Sequence, residues 1–93
     1  MKNYTKIMIV FEDNTALRIS EEEVTVFQMA GGYTYIEYLN DKDQQHRLDG
    51  PAMEWADGYK AWFVNGKRHR LDGPAIERSN GSKAWYKNGE CTQ

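Results

Sequence analysis

His46 and His69 are the only imidazoles in the chain, and each stands three residues before an aspartate, Asp49 and Asp72. Imidazole with carboxylate hints at a metal site, but zinc needs several convergent ligands, and the single Cys91 adds little to the set. Both His–Asp pairs occupy the same place in a repeated segment, so a recurrent hydrogen-bond role at a connector is expected, and no metal. Carboxylates that could do acid–base work stand at residues 21–23 and at Glu54 and Glu77. The first group reads as a solvated helix start, and the other two as repeat-equivalent surface groups. Cys91 has no nearby base to raise its thiolate content. No Gly-rich phosphate loop is present. Neither an active site nor a cofactor is expected. What remains is the chemistry of contact. Trp62, Phe63, Trp85 and Tyr86, with Arg47 and Arg70, are of the types that concentrate energy at interfaces, and they are the candidate binding residues.

These side chains are positioned by a segment that occurs twice. Residues 46–68 read HRLDGPAMEWADGYKAWFVNGKR, and residues 69–91 read HRLDGPAIERSNGSKAWYKNGEC. At the 23-residue offset 14 positions are identical, which predicts a tandem repeat whose copies bury their faces against one another. In each copy Asp57-Gly58 or Asn80-Gly81 separates two strand-like runs, and Asn65-Gly66 or Asn88-Gly89 closes the second run. All four dipeptides suit the type I′ turn, which needs positive φ at both central residues. Asp49-Gly50-Pro51 and Asp72-Gly73-Pro74 make a corner before the first run, where proline's missing N–H does no harm. The expected unit is strand, tight turn, strand, tight turn, connector. Along residues 59–64 alternation sets Ala61 and Phe63 against Lys60, Trp62 and Val64. In the second copy Ala84 and Tyr86 oppose Lys83, Trp85 and Lys87 in the same way. Met53 and Ile76 are expected to face the core, with Glu54 and Glu77 on the opposite side. Which aromatic row is buried, and which is free for contact, stays open at this point.

The run HRLDGPA, followed by Lys-Ala-Trp and Asn-Gly at fixed spacing, resembles the MORN repeat. It resembles more closely a MORN-like repeat of phage and mobile-element proteins, of the form HRxDGPA … Gly … WYxNG, some of whose bacterial members are described as antitoxins. The likeness covers residues 46–90. It departs from MORN proper in lacking the Tyr-x-Gly opening and in having two copies only. The resemblance implies a β-hairpin scaffold, and a host or cognate protein as the partner.

Ninety-three residues make one domain. Ahead of the repeats, residues 4–12 read as a strand whose apolar run 7–11 suits cover on both faces. Asp13-Asn14 turns the chain back into a second strand at 15–19. Ser20 with Glu23 makes a capping box, Ile19 can staple to Val24, and an acidic first turn suits the helix dipole. A short helix over 21–30, stopped by Gly31 or Gly32, is therefore favoured, although Val24-Thr25-Val26-Phe27 also suits a strand. Residues 33–39 read as a strand, and 40–45 as a polar connector. The fold class is α+β, mostly β: an antiparallel meander of two hairpin repeats (46–93), capped by an N-terminal ββαβ segment (1–45), in one compact domain. The strand at 83–87 is expected to leave an open edge, through which copies of the chain can pair.

Residues 1–45 carry four basic and eight acidic groups, a net −4, and residues 46–93 carry eight and six, a net +2. The acidic half argues against general nucleic-acid binding. No apolar run reaches the ~20 residues of a membrane span, nor is there a signal-peptide pattern. With one cysteine, a reducing cytoplasm is the expected location. The leading expectation is a non-enzymatic interaction module that binds and inhibits a host defence protein or a toxin. A second is a nucleotide or small-ligand sponge using the aromatic rows with Arg47, Arg70, Lys60 and Lys83. A third, peripheral membrane binding of MORN type, lacks a polybasic cluster.

Overall fold

The structure, a computed structural model, describes residues 3–92. The elements run β1 (Lys6–Phe11), β2 (Ala16–Ile19), α1 (Glu21–Ala30), β3 (Tyr33–Leu39), β4 (Met53–Trp55), β5 (Lys60–Ala61), β6 (Phe63–Val64), β7 (Lys67–Arg68), β8 (Ile76–Glu77), β9 (Lys83–Ala84), β10 (Tyr86–Lys87) and β11 (Glu90–Cys91). Seven of the strands form one antiparallel sheet in the order β2-β1-β3-β4-β5-β8-β9. The pairs β6–β7 and β10–β11 are separate two-stranded ribbons. The described residues are thus mostly β, in antiparallel hairpins, with one helix.

The helix begins as its sequence requires. Ser20 Oγ accepts the Glu23 N–H at 3.4 Å, and Glu23 Oε1 accepts the Ser20 N–H at 2.9 Å. At the other end the Gly31 N–H donates to the Phe27 carbonyl. Val24 and Phe27 face the sheet, while Val26 and Met29 are exposed. Under the helix lie Ile7, Ile9, Ile19, Ile36 and Tyr38, with Tyr4, Phe11 and Tyr33 packed around them. The 7–11 run is therefore fully covered on one face only. Ile7 and Ile9 are buried, whereas Met8 and Val10, on the face away from them, are half-buried.

Register carries this two-faced arrangement into the repeats. Ile36, Glu54, Lys60, Glu77 and Lys83 are successive cross-strand partners, and so are Glu37, Met53, Ala61, Ile76 and Ala84. Partners across a sheet share a face, so the first row alternates in charge and the second is largely apolar. Glu54 and Glu77 are opposite Met53 and Ile76, as alternation requires. Ile76 is buried, whereas Met53 is only half-buried.

Two expectations for the repeats need correction. Residues 59–64 are not one strand: the run divides at Trp62 into β5, in the large sheet, and β6, in a ribbon. The Trp62 N–H donates to the Ala75 carbonyl, while the Phe63 carbonyl accepts the Arg47 N–H, so the run leaves one set of neighbours for another. The turns at Asp57-Gly58 and Asn80-Gly81 are not type I′. Positive φ falls on Gly58 and Gly81 but not on the residues before them. Gly58 N–H donates to the Trp55 carbonyl and Trp55 N–H to Tyr59, which makes a three-residue loop, with the Asp57 carboxylate accepting the Tyr59 N–H. Asn65-Gly66 and Asn88-Gly89 do have positive φ at both residues. At the Asp-Gly-Pro corners Gly50 and Gly73 do not have positive φ. An added Cβ would come 2.9 Å and 2.8 Å from the guanidinium carbons of Arg47 and Arg70, so these glycines make room for an arginine.

Candidate interaction surface

The HRLDGPA run builds the same bracket in both copies. Arg47 Nε donates to Asp49, and its Nη1 to the Pro51 carbonyl and towards Glu54, at 3.2, 3.2 and 3.5 Å. Arg70 donates to Asp72, Pro74 and Glu77 at 3.2, 3.1 and 3.2 Å. Each guanidinium also lies 4.0 Å from an aromatic centroid, Tyr38 for Arg47 and Trp62 for Arg70. Planar, five-donor guanidinium is suited to such a combination of ring, carbonyl and carboxylates. Arg47 and Arg70, two of the expected binding residues, are thus committed inside the fold. Nδ1 of His46 accepts the Asn65 N–H, and Nδ1 of His69 the Asn88 N–H, at 2.9 and 3.0 Å. This is the recurrent hydrogen-bond role at a connector.

The connector at 40–45 is drawn into the same scheme. Asn40 is buried, and both ends of its amide are used. Its oxygen accepts the Lys42 and Gln44 N–H groups, and its nitrogen donates to Gln44 and to Asn65 of the first repeat. Polar groups buried this deeply require such partners. Lys6 pairs with Asp43 on the same loop.

The remaining expected contact residues divide. Trp62, Phe63, Trp85 and Tyr86 are all half-buried, so exposure does not separate the first copy's pair from the second's. Phe63 opens on a groove of about 490 Å³, together with Met53, Trp55, Asp57, Tyr59 and Arg68 from the first copy and Arg78, Ser79 and Asn80 from the second. Trp55 stacks on Tyr35 at 4.9 Å and meets Tyr59 edge-on at 6.1 Å. Arg68 lies 5.9 Å from the Phe63 centroid and 5.3 Å from that of Tyr86. The Trp55 indole nitrogen is buried with no hydrogen-bond partner among the described residues. An orphan donor of this kind is a cost, and such costs collect at functional sites.

Nine of the 23 aligned positions differ between the copies, and every residue lining this groove stands at one of the nine. The identical positions build the brackets and supply the glycines of the turns. By contrast, the cleft of about 450 Å³ between the two HRLDG loops is lined almost wholly by identical positions, Val64 excepted. Arg68 and Arg78 escape a search confined to repeat-matched arginines, because their counterparts are Cys91 and Trp55. The readable signal was the divergence itself.

Among the described residues no group of three or more His, Cys, Asp or Glu side chains could hold a metal ion, and no helix is long and apolar enough to cross a membrane. No protein-family model, no curated protein and no solved structure matches the chain.

Proposed function

We propose that the chain is a non-enzymatic protein-binding module, and that the groove of diverged positions is its contact surface. In the form favoured by the resemblance to phage and mobile-element repeats, its partner is a host defence protein or a toxin, which it binds and inhibits. One observation carries the reading: residues identical in both copies make the two arginine brackets, and every residue lining the groove stands at a position where the copies differ. The groove's Trp55, Tyr59, Arg68 and Arg78 are of the types enriched at interface hot spots, where truncation costs ~2 kcal/mol or more. Two arginines against Asp57 give it a positive balance, which suits an acidic partner surface.

Co-purification from host lysate tests this. Wild-type chain should retain a stoichiometric protein that Tyr59→Ala and Arg68→Glu lose, with melting temperatures within a few degrees of wild type. No partner, or a partner retained by both variants, overturns the reading.

The same groove favours one other occupant, a planar anionic small molecule stacked on Trp55 or Phe63 with its charge at Arg68 and Arg78. Arg47 and Arg70 are committed internally, and Lys60 and Lys83 do not line the groove, so the sponge reading moves to Arg68 and Arg78. A nucleotide panel in a thermal-shift assay separates the two readings, since a ligand of the native state raises the melting temperature.

A further inference from the structure

The arginine bracket is built twice on a row of three aromatic positions. Tyr38, Trp62 and Trp85 are equivalent: their carbonyls accept the N–H groups of His46, His69 and Thr92 at 2.9, 3.0 and 2.9 Å. The Tyr38 N–H donates to Ala52 and the Trp62 N–H to Ala75, both at 2.8 Å, and each ring carries a guanidinium at 4.0 Å. Trp85 has neither a carbonyl for its N–H nor a cation over its ring among the described residues. Position 93, which is 23 residues past Arg70, is glutamine. Beside Trp85, β9 is the outer strand of the large sheet and, among the described residues, pairs on one side only, with β8. Its equivalent β5 is paired on both sides, and on its outer side Glu77 meets Lys60 and Ile76 meets Ala61.

We propose that the β9 edge and the Trp85 ring form an acceptor site for an arginine-bearing extended segment of another polypeptide. The segment adds a strand to β9, and its arginine lies flat on Trp85. One of its carbonyls takes the Trp85 N–H. An acidic residue seven positions after the arginine meets Lys83, as Glu77, seven after Arg70, meets Lys60. Backbone pairing supplies affinity, and the arginine and the carboxylate supply specificity. Lysine is a poor substitute, because an ammonium cannot lie flat on the ring and reach carbonyl and carboxylates together. The site shares no residue with the groove, so it stands or falls separately.

The test is an NMR titration of isotope-labelled, full 93-residue chain with a capped synthetic peptide, residues 69–78 (HRLDGPAIER). Saturable shifts are expected at the Lys83, Ala84 and Trp85 amides and at the Trp85 indole. An Arg70→Ala peptide should bind about tenfold more weakly, because it gives up the cation–π interaction and the hydrogen bonds of the guanidinium together. This arm changes the peptide alone, so folding of the protein is not at issue. On the protein side, Trp85→Leu should weaken binding to a similar degree and Trp85→Phe much less. Absent shifts, shifts elsewhere, or equal binding of the Arg70→Ala peptide overturn the proposal. So do concentration-dependent shifts of the same amides without peptide, which would make the occupant a second copy of this chain.

Discussion

Beneath the helix, large aliphatic side chains exclude water from one face of the sheet, and Ile9 and Ile36 are wholly buried. In the repeat half the buried side chains are Ala52, Ala61, Ala75 and Ile76, which have much less apolar surface to hide. Two arginines there lie on aromatic rings instead, Arg47 on Tyr38 and Arg70 on Trp62. Apolar burial stabilises at roughly 25 cal/mol per Å², so alanines alone cannot hold a sheet together. They allow close approach of backbones, and the brackets of ring, guanidinium, carbonyl and carboxylate supply the remaining cohesion. One half resists change through volume, the other through geometry. Only the second can be copied every 23 residues while other positions drift, as the groove shows.

The comparison is broken most forcefully at Ile9. Ile9→Ala should cost about 3–4 kcal/mol in denaturant unfolding, because a fully buried isoleucine leaves a cavity that the sheet cannot close. Ala61→Gly, in the repeat half, should cost far less. Parity between the two would mean that both halves depend on side-chain volume alike.

Arg70→Ala comes next, at about 1–2 kcal/mol, the ion-pair part discounted because the side chains of Arg70 and Glu77 are 23% and 34% exposed. Arg47→Ala should match it, since both arginines make the same contacts. A double-mutant cycle of Arg70→Ala with Trp62→Leu should show coupling of about 1 kcal/mol, and the same cycle with Trp85→Leu close to none. Equal coupling to both tryptophans would deny that the bracket is local. Gly73→Ala should cost about 1 kcal/mol, as its new Cβ presses the Arg70 guanidinium off the ring, and it should cost almost nothing further once Arg70 is gone.

Much of the first half was legible because its signals are local. Ser20 and Glu23 mark a cap three residues apart, and that pattern outweighs the strand-like Val24-Thr25-Val26-Phe27. Residues 33–39 form the strand that their alternation predicts. In the repeats the alternation of Glu54 against Met53 was also readable. The turns misled because Asp-Gly names a glycine with positive φ without saying how many residues the loop holds; the Asp57 side chain on the Tyr59 N–H decides that here. The break at Trp62 was hidden because its causes, the Ala75 carbonyl and the Arg47 N–H, are 13 and 15 residues away along the chain. The arginines were hidden for the same reason. Their rings precede them by eight or nine residues, and only a glycine three residues after each hinted that something large must fit there.

The smallest expected effect lies where the two halves join. Glu37 stands at the head of the apolar row, opposite Met53 on one side and Met8 on the other. Burial pushes its carboxyl above the ordinary glutamate range, and the hydrogen bond from Gln45 Nε2 at 3.3 Å only partly offsets this. The ionised form is then less favourable in the folded chain than in the unfolded one. A carboxyl raised in this way favours folding while it holds its proton, and that advantage is lost as pH rises through the folded-state value. Glu37→Gln keeps an oxygen for Gln45 and removes the charge. Its melting temperature should exceed that of wild type by a small margin at about pH 7, and the margin should vanish on acidification to about pH 4, where wild type is itself largely protonated. A margin that persists unchanged at the acid end would show that the substitution acts through packing. A variant less stable than wild type at neutral pH would mean that the junction uses the Glu37 charge, and that the polar scheme of the repeats extends across β3.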